Sequence, residues 1–353
     1  MKLLQLRGIA FSPVFQASGV TNLDCGGYWI HRLLSPLGLD FTGTTPVTKT
    51  TAFMPRIGNM PLKSDGLSPR EWFPRCVIVK HKHKAVLNAV SLSSPGLEFC
   101  INAGWWQKFR EPFFISIMSV ATTPADRLAE CEGLLSRLAA AKRYEHWHAD
   151  WGIQWNWSCP NLGQDPTELL DEILPALEMA ERVLPDSIPI MVKLGPEAPP
   201  EIAAALSKSK RCDAVTFCNT LPFGKHPAWS RQSPPIDWKG LFGTNDPKES
   251  PMARRFPGFP GGYSGAGLKP FVLEWTARVR KLGLQIPIIS GGGIVEPDDP
   301  GHFFDAGADG VALGSIAILN PTKVRRTIRH AFFYQDIKSR PPSLVRSELE
   351  FDV

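Results

Sequence analysis

Short β-type runs alternate with helical segments along most of the chain. The predicted strands are 13–18, 39–44, 113–119, 152–158, 188–195, 213–220, 286–293 and 310–315. The predicted helices lie near 22–36, 124–144, 166–184, 199–208, 269–283, 300–307 and 321–332. Alternation of this kind favours a parallel sheet, and eight units favour closure into an α/β (β/α)8 TIM barrel. A doubly wound sheet is the alternative, but ASGVTNLDCGG, after the first strand, lacks its glycine-rich fingerprint.

Two long segments interrupt this alternation, at about 51–110 and 221–262. Both are rich in proline and glycine, and both fall where loops leave the carboxyl ends of barrel strands, which normally cover an active site. A disordered insertion is the alternative, but tryptophan and phenylalanine in the second segment favour packing. We therefore predict a single barrel domain over 1–338, with long loops forming a lid over the C-terminal face, and a C-terminal tail over 339–353.

Composition and charge exclude several classes of protein. The 353 residues are 43% hydrophobic and carry a net charge of +5 with basic residues spread along the chain, so we expect no nucleic-acid partner. The seven cysteines contain no CxxC pair, which predicts reduced thiols in a cytoplasmic protein. No apolar run approaches ~18 residues, so no membrane span is expected. His146, His148 and Asp150 have a metal-ligand spacing but precede the fourth strand, away from the expected chemistry, and no metal site is predicted.

Glycines follow the last two predicted strands, in SGGGI (290–294) and LGS (313–315). These two loops are neighbours in a closed barrel, where a phosphate site commonly forms. Glycine lets backbone N–H groups approach a phosphate closely. The candidate phosphate ligands are Gly292, Gly293, Gly314 and Ser315. A tight turn without a ligand is the alternative.

Two lysines lie near the ends of otherwise apolar strands, Lys49 in PVTKT and Lys193 in MVKLG. A buried lysine is unfavourable unless it meets an anion or a polar ring. The N1–C2=O edge of a flavin suits such a cation, because it gains electron density on reduction. An internal salt bridge is the alternative for either lysine.

Four asparagines fall where loops begin: Asn88, Asn156, Asn161 and Asn219. Each side chain offers two donors and an acceptor, so the set can hold a planar polar substrate with imide and carboxylate groups. A single asparagine near a turn usually satisfies only local backbone groups. Two of the four flank a lone cysteine, Cys159, in the hexapeptide NWSCPN.

Several stretches resemble the dihydroorotate dehydrogenase family of FMN-dependent (β/α)8 barrels. They are FQASGV (15–20), PVTKTTAFMPRIGNMP (46–61), LNAVSLSSPG (87–96), NWSCPNLG (156–163), VKLGP (192–196), CNT (218–220), GGYSGAGLKP (261–270), IPIISGGGI (286–294) and GADGVALGS (307–315). They span most of the chain in family order, and NxSCPN is the most specific of them.

The resemblance implies a role for each matching residue. Cys159 matches the catalytic base, and cysteine there, rather than serine, is similar to the soluble class of the family. The four asparagines match the residues that hold orotate. The positions that match FMN contacts are Ala17, Ser18, Lys49, Lys193, Thr220, Gly265, Gly292, Gly293, Gly314 and Ser315.

The chemistry implied by the resemblance is the oxidation of dihydroorotate to orotate in pyrimidine biosynthesis. A Cys159 thiolate removes the C5 proton, and a hydride passes from C6 to flavin N5. Fumarate, a quinone, or NAD through a separate iron–sulfur flavoprotein subunit all stay open as electron acceptors. Soluble members of the family are often dimers, so a homodimer is also expected.

The chain departs from the family in one substrate loop. The family commonly has glycine and then asparagine in NxxGLxNPG, where this sequence has Ser91 and Ser94. Another dihydropyrimidine, such as dihydrouracil, is therefore an alternative substrate. A non-redox lyase or isomerase on a phosphate-binding barrel, and a non-catalytic homologue acting through its long loops, are further alternatives.

Overall fold

A computed structural model describes residues 2–157 and 169–339 of the chain. The strands are β1 (Leu4–Leu6), β2 (Ile9–Phe11), β3 (Val14–Gln16), β4 (Val77–Lys80), β5 (Ala85–Asn88), β6 (Phe113–Ile117), β7 (Trp151–Asn156), β8 (Ile190–Leu194), β9 (Ala214–Phe217), β10 (Leu221–Pro222), β11 (Gly262–Gly265), β12 (Ile288–Gly291) and β13 (Gly310–Leu313). The α-helices are α1 (Trp29–Leu34), α2 (Leu97–Asn102), α3 (Pro124–Tyr144), α4 (Leu169–Val183), α5 (Pro200–Leu206), α6 (Trp238–Phe242), α7 (Pro251–Arg255), α8 (Lys269–Lys281), α9 (Asp299–Asp305), α10 (Ile316–Leu319) and α11 (Val324–Ser339).

Seven strands form the main sheet, in the order β3-β13-β12-β9-β8-β7-β6, and every neighbouring pair is parallel. Residues 45–51 connect its two edges, because Thr45 bridges to Phe15 on β3 and Val47 bridges to Phe114 on β6. Backbone hydrogen bonds on both sides of this segment continue the ladder. The sheet therefore curls round with 45–51 in the eighth place, which confirms the predicted (β/α)8 barrel.

The second predicted strand, 39–44, is wrong, because this segment forms a turn and the strand-like pairing begins at Thr45. The carboxylate of Asp40 accepts the backbone N–H of Thr42 at 2.9 Å. Gly43 adopts a φ of +85°, which glycine reaches without steric cost. Local hydrogen bonding by aspartate competes with a strand in this way.

The barrel strands alternate between an inner and an outer face. Phe15, Phe114, Met191 and Ile289 belong to an apolar cluster inside the barrel. On each strand, the residues that alternate with these face outward and pack in the large apolar cluster that also contains helix residues. The hairpin of β1 and β2 contributes Phe11 and other side chains to the inner cluster. The interior is therefore a packed core.

The two long segments join in a second sheet. Strands β4 and β5 come from the first segment, and β10 and β11 border the second, in the antiparallel order β10-β11-β5-β4. Trp238, Met252 and Tyr263 pack with residues of β5 in one apolar cluster. The aromatic residues of the second segment therefore contribute to a packed core, as their presence in the sequence suggested.

Candidate functional site

Two lysines extend the inner face of the barrel strands towards their carboxyl ends. Val47 and Met191 lie in the inner apolar cluster, and Lys49 and Lys193 follow two residues later. Side chains two apart on an extended segment face the same way. Both lysines therefore lie on the inner face, above the apolar layer, at the mouth of the barrel.

Lys49 is buried, with 7% of its surface exposed. Burial lowers its pKa from 10.5 to about 8. Its ammonium donates a hydrogen bond to the carbonyl oxygen of Ser93, on the loop that follows β5. The cation is thus held by a neutral group.

Lys193 is 5% exposed and lies in register with Asn156 on β7 and Thr216 on β9. Burial lowers its pKa, and the neighbouring Cys218 opposes that shift. Within residues 2–157 and 169–339, its ammonium donates no hydrogen bond, and neither Lys193 nor Lys49 has a carboxylate within ion-pair distance. The internal salt bridge considered from the sequence is therefore wrong for the described residues.

The inner face of β9 adds two groups that the sequence did not single out. The hydroxyl of Thr216 is buried without a hydrogen-bond partner in the described residues. Cys218, two residues further along, is so close to Gly291 that a Cβ there would lie 2.9 Å from its sulfur. Burial raises the pKa of Cys218, and Lys193 partly offsets this. A buried hydroxyl with no partner in the described residues, in register with a lysine that has no carboxylate partner there, fits a polar ligand that satisfies both groups.

A chain of hydrogen bonds crosses the opposite side of the mouth. The hydroxyls of Ser18 and Thr50 are 3.0 Å apart, and Thr50 lies 2.8 Å from Ser116. Ser116 donates to the side-chain oxygen of Gln154 at 3.3 Å. Ser18 also donates to the carbonyl of Thr48 at 2.9 Å. This network positions the segment that carries Lys49.

The glycine loops have the backbone that a close ligand requires. Gly265, Gly292 and Gly293 have φ values of +125°, +122° and +86°, in the region that L side chains rarely adopt. A side chain on Gly293 would also clash with the backbone of Lys269, at the start of α8. Gly314 packs against Ala17, whose N–H donates to the carbonyl of Leu313 at 2.9 Å.

Buried charges hold the loop after β12 in place. Asp299, 3% exposed, accepts the backbone N–H groups of Val295 and Glu296, both at 2.8 Å. The ammonium of Lys269 donates to the same carboxylate at 2.7 Å. The two glycines that precede this stretch therefore form part of a rigid loop. Ser315 lies next to it as the N-cap residue of α10.

Three of the four predicted asparagines lie near this mouth. Asn156 ends β7 beside Lys193, and Asn219 follows β9, where its side-chain oxygen accepts the N–H of Thr220 at 2.8 Å. Asn88 ends β5 opposite Gly262 and donates to its carbonyl at 3.4 Å. Gly262 also packs directly against the side chain of Thr220. The structure thus brings the substrate candidates of three separate segments together.

Two predicted residues, Cys159 and Asn161, lie outside the described residues, as does the tail from 340 to 353. The cysteines within the described ranges are free thiols. No group of three or more metal-ligating side chains occurs in those ranges, and His146 and His148 are exposed. Over the same ranges, no helix is long and apolar enough to cross a membrane.

The fold and the mouth together define a (β/α)8 barrel protein whose C-terminal face suits a polar, anionic ligand. The family model for dihydroorotate dehydrogenase matches residues 38–332. The catalytic subunit of dihydroorotate dehydrogenase B (NAD(+)) from Bacillus pumilus is 28% identical over 330 residues, which cover 90% of this chain and 86% of the relative. The same subunit from Listeria innocua is 29% identical over 246 residues, 67% of this chain and 68% of the relative.

A crystal structure of DHODH from Eimeria tenella in complex with ferulenol has the same fold, with a TM-score of 0.63 at 17% identity. The superposition covers 95% of this chain and 84% of that one. The chain belongs to the dihydroorotate dehydrogenase family of oxidoreductases. The resemblance stated from the sequence is thereby confirmed.

Proposed function

We propose that this chain is an FMN-dependent oxidoreductase that oxidises dihydroorotate to orotate. The observation that carries the proposal is the pair of buried lysines at the barrel mouth without a carboxylate partner in the described residues. A buried ammonium of this kind needs an anion or a polar ring to offset its desolvation. The alternatives without redox chemistry gain no support from the family to which the chain belongs.

The residues at the mouth fit FMN. Lys193, Lys49 and the hydroxyl of Thr216 would satisfy the polar edge of the ring, which in turn would satisfy them. The phosphate would be held by the backbone of the loops after β12 and β13, from Gly292, Gly293, Gly314 and Ser315, with Ala17, Ser18, Thr220 and Gly265 as further contacts. When bound, FMN supplies the acceptor for the hydride from C6 of the substrate.

The asparagines hold the substrate in this proposal. Asn88, Asn156 and Asn219 come from three different segments that meet at the mouth, and Asn161 would complete the set. Amides that approach a planar ring from several directions fix its orientation over the cofactor, which provides proximity. Lys49 and Lys193 add positive charge where the cofactor becomes more electron-rich.

Cys159 is the proposed base for the C5 proton. Three other cysteines are poor rivals, since burial raises the pKa of Cys25, Cys100 and Cys131 to about 12 in each case. A thiol with such a pKa remains protonated at neutral pH and cannot accept a proton. The test compares Cys159→Ala with Cys131→Ala, a control on α3.

Both variants would be loaded with FMN and mixed with dihydroorotate without oxygen. We expect Cys159→Ala to retain FMN and to lose two or more orders of magnitude in the rate of flavin reduction, as for removal of a general base (roughly 10²–10⁴-fold). Cys131→Ala should reduce at the wild-type rate. Equal rates for Cys159→Ala and wild type would show that another group is the base.

The names of the related proteins are the basis for the electron acceptor that we propose. The Bacillus and Listeria proteins are named as catalytic subunits of NAD(+) enzymes. This favours NAD, reached through an iron–sulfur flavoprotein subunit, over fumarate or a quinone. Reoxidation of the reduced protein by each acceptor decides among them, and sedimentation tests whether the chain forms a homodimer.

A further inference from the structure

Glu296 joins three segments of the barrel mouth through one carboxylate. It lies three residues after Gly293, in the loop after β12. One carboxylate oxygen accepts the ammonium of Lys84 at 2.6 Å, and the other accepts that of Lys323 at 2.6 Å. The side-chain amide of Asn320 also donates to this carboxylate, at 3.3 Å. Three segments that are far apart in the sequence therefore meet at one side chain.

Each of these segments carries or supports a proposed FMN contact. The loop after β12 contains two of the proposed phosphate glycines. Lys84 lies in the turn between β4 and β5, and its carbonyl lies so close to Gly265 that a side chain on that glycine would clash with it. Ser315 is the N-cap residue of α10, and Asn320 is the C-cap residue of the same short helix. A shift of any one segment therefore moves a proposed contact.

The same three segments share a small apolar cluster beside the carboxylate. Its buried members are Val86 of β5, Val295 of the loop after β12, and Leu319 of α10. Burial of apolar surface has no directional preference, so it brings the segments together without fixing their relative orientation. The bonds of Glu296 are directional and involve residues next to or near these three. The carboxylate therefore fixes how the segments lie relative to one another.

The bonds of Glu296 form a network of charged and polar groups. Bonds from Lys323 and Lys84 lower the pKa of the Glu296 carboxyl and outweigh burial, so the group is ionised at neutral pH. Asn320 extends the network, because its amide also donates to the carbonyl of Val295 at 2.7 Å. The carboxylate is 32% exposed, so water screens each ion pair and its single contribution is modest. Loss of the network should therefore have a moderate effect on binding.

We propose that Glu296 is a positioning residue for the cofactor phosphate, and that it holds the loops after β12 and β13 and the β4–β5 turn in one arrangement. This inference rests on the proposed function and extends it to a residue outside the proposed FMN contacts. A carboxylate repels a phosphate at close range. Glu296 therefore acts through the backbone that it positions and not by contact with the phosphate.

The test compares FMN with riboflavin, which has the same ring system and lacks the phosphate. The cofactor-free protein is titrated with each flavin, and quenching of flavin fluorescence gives the two dissociation constants. We expect Glu296→Gln to weaken FMN binding by about 3- to 10-fold, as for the loss of partly exposed ion pairs, and to leave riboflavin binding unchanged. Lys84→Met should change the ratio of the two affinities in the same direction.

The two variants change the charge of the network in opposite directions. If charge alone mattered, Glu296→Gln would strengthen FMN binding and Lys84→Met would weaken it, because the phosphate is an anion. A positioning role predicts weaker FMN binding in both variants, since both break the same network. FMN binding by Glu296→Gln that equals or exceeds that of wild type would therefore overturn the inference.

The matched control is Asp305→Asn. The carboxylate of Asp305 accepts the hydroxyl of Tyr334 at 2.6 Å and pairs with Lys338 at 3.1 Å, and so joins α9 to α11. Its removal should lower the melting temperature without changing the ratio of FMN to riboflavin affinity. If Glu296→Gln behaves as this control does, the role of Glu296 is structural only and the inference is wrong.

The outcomes separate the two proposals. If wild type binds both flavins and both network variants keep the wild-type ratio of affinities, the inference about Glu296 fails alone. If wild type binds neither flavin, the proposed function fails, and the inference fails with it. If Glu296→Gln does not fold, Asn320→Ala provides the comparison, because it removes a donor to the carboxylate without changing the charge.

Discussion

Replacing Lys49 with methionine should stabilise the protein while it lacks its cofactor. Burial lowers the pKa of Lys49 from 10.5 to about 8, and each pKa unit corresponds to about 1.4 kcal/mol, so the buried ammonium disfavours folding by roughly 3 kcal/mol at neutral pH. Methionine has a similar length and no charge, but it gives up the bond to the Ser93 carbonyl, worth about 1 kcal/mol. The net expected gain is about 2 kcal/mol in the free energy of unfolding.

The pH dependence of this gain identifies its cause. Between pH 8 and 10.5 the unfolded chain keeps the lysine proton while the folded chain loses it, so wild-type stability rises with pH in that window. Above 10.5 the lysine is neutral in both states, and the contribution of its charge disappears. Lys49→Met lacks this group, so its advantage should shrink as the pH rises from 8 to 10.5.

The assay is urea unfolding of the cofactor-free protein at about pH 7 and about pH 10.5, with the exposed Lys82→Met as control. The free energy of unfolding of Lys82→Met should match that of wild type at both pH values. If Lys49→Met is less stable than wild type at neutral pH, or if its advantage does not change with pH, the account of Lys49 as a desolvated cation is wrong.

Three further predictions concern Gly293, Thr216 and the loop held by Glu274. Gly293→Ala should be less stable and bind FMN at least ten-fold more weakly, because a φ of +86° and the adjacent start of α8 exclude a side chain there. The control is Gly283→Ala, which has the same φ but open space around it. This control should lose stability but bind FMN as wild type does, as measured by equilibrium dialysis. Thr216→Val should raise the melting temperature of the cofactor-free protein by removing a buried unpaired hydroxyl, yet weaken FMN binding, and a variant that binds FMN as well as wild type would contradict the proposed contact. Glu274 accepts five hydrogen bonds from residues 230–233. Burial raises the pKa of its carboxyl, but these bonds outweigh burial and lower the pKa from 4.5 to about 2. The carboxylate therefore stabilises the fold above pH 4.5, and this stabilisation is lost as the pH falls towards 2. Glu274→Gln should increase hydrogen exchange in that loop at neutral pH, while unchanged exchange would exclude the carboxylate as its anchor.

The periodicity of the sequence was enough to predict the barrel but not each of its strands. Seven of the predicted runs contain barrel strands, and the helix predicted over 124–144 is α3, Pro124–Tyr144. The remaining run failed at Asp40 and Gly43, where side-chain bonding and a left-handed glycine make a turn. The true eighth segment pairs only through isolated bridges, a pattern that local sequence does not specify.

The sequence predicts those site residues that are unusual for the strand in which they lie. Lys49 and Lys193 were recognisable because a charge in an apolar run is costly to bury. Thr216 and Cys218 were missed, since they fit a strand and matter only through the register that turns them towards Lys193. Ser91 adopts a φ of +57° in a loop whose neighbouring residues bond to Arg56 and Asn59, and the sequence of the loop alone does not predict these contacts.

In the proposed function, the barrel mouth passes electrons from dihydroorotate to one bound FMN. The most direct measurement is the amount of orotate formed when the FMN-loaded protein is mixed with excess dihydroorotate in the absence of oxygen and of any acceptor. We predict one orotate for each FMN reduced, after which formation stops. Orotate that continues to accumulate, or a flavin that stays oxidised while dihydroorotate is bound, would contradict the account.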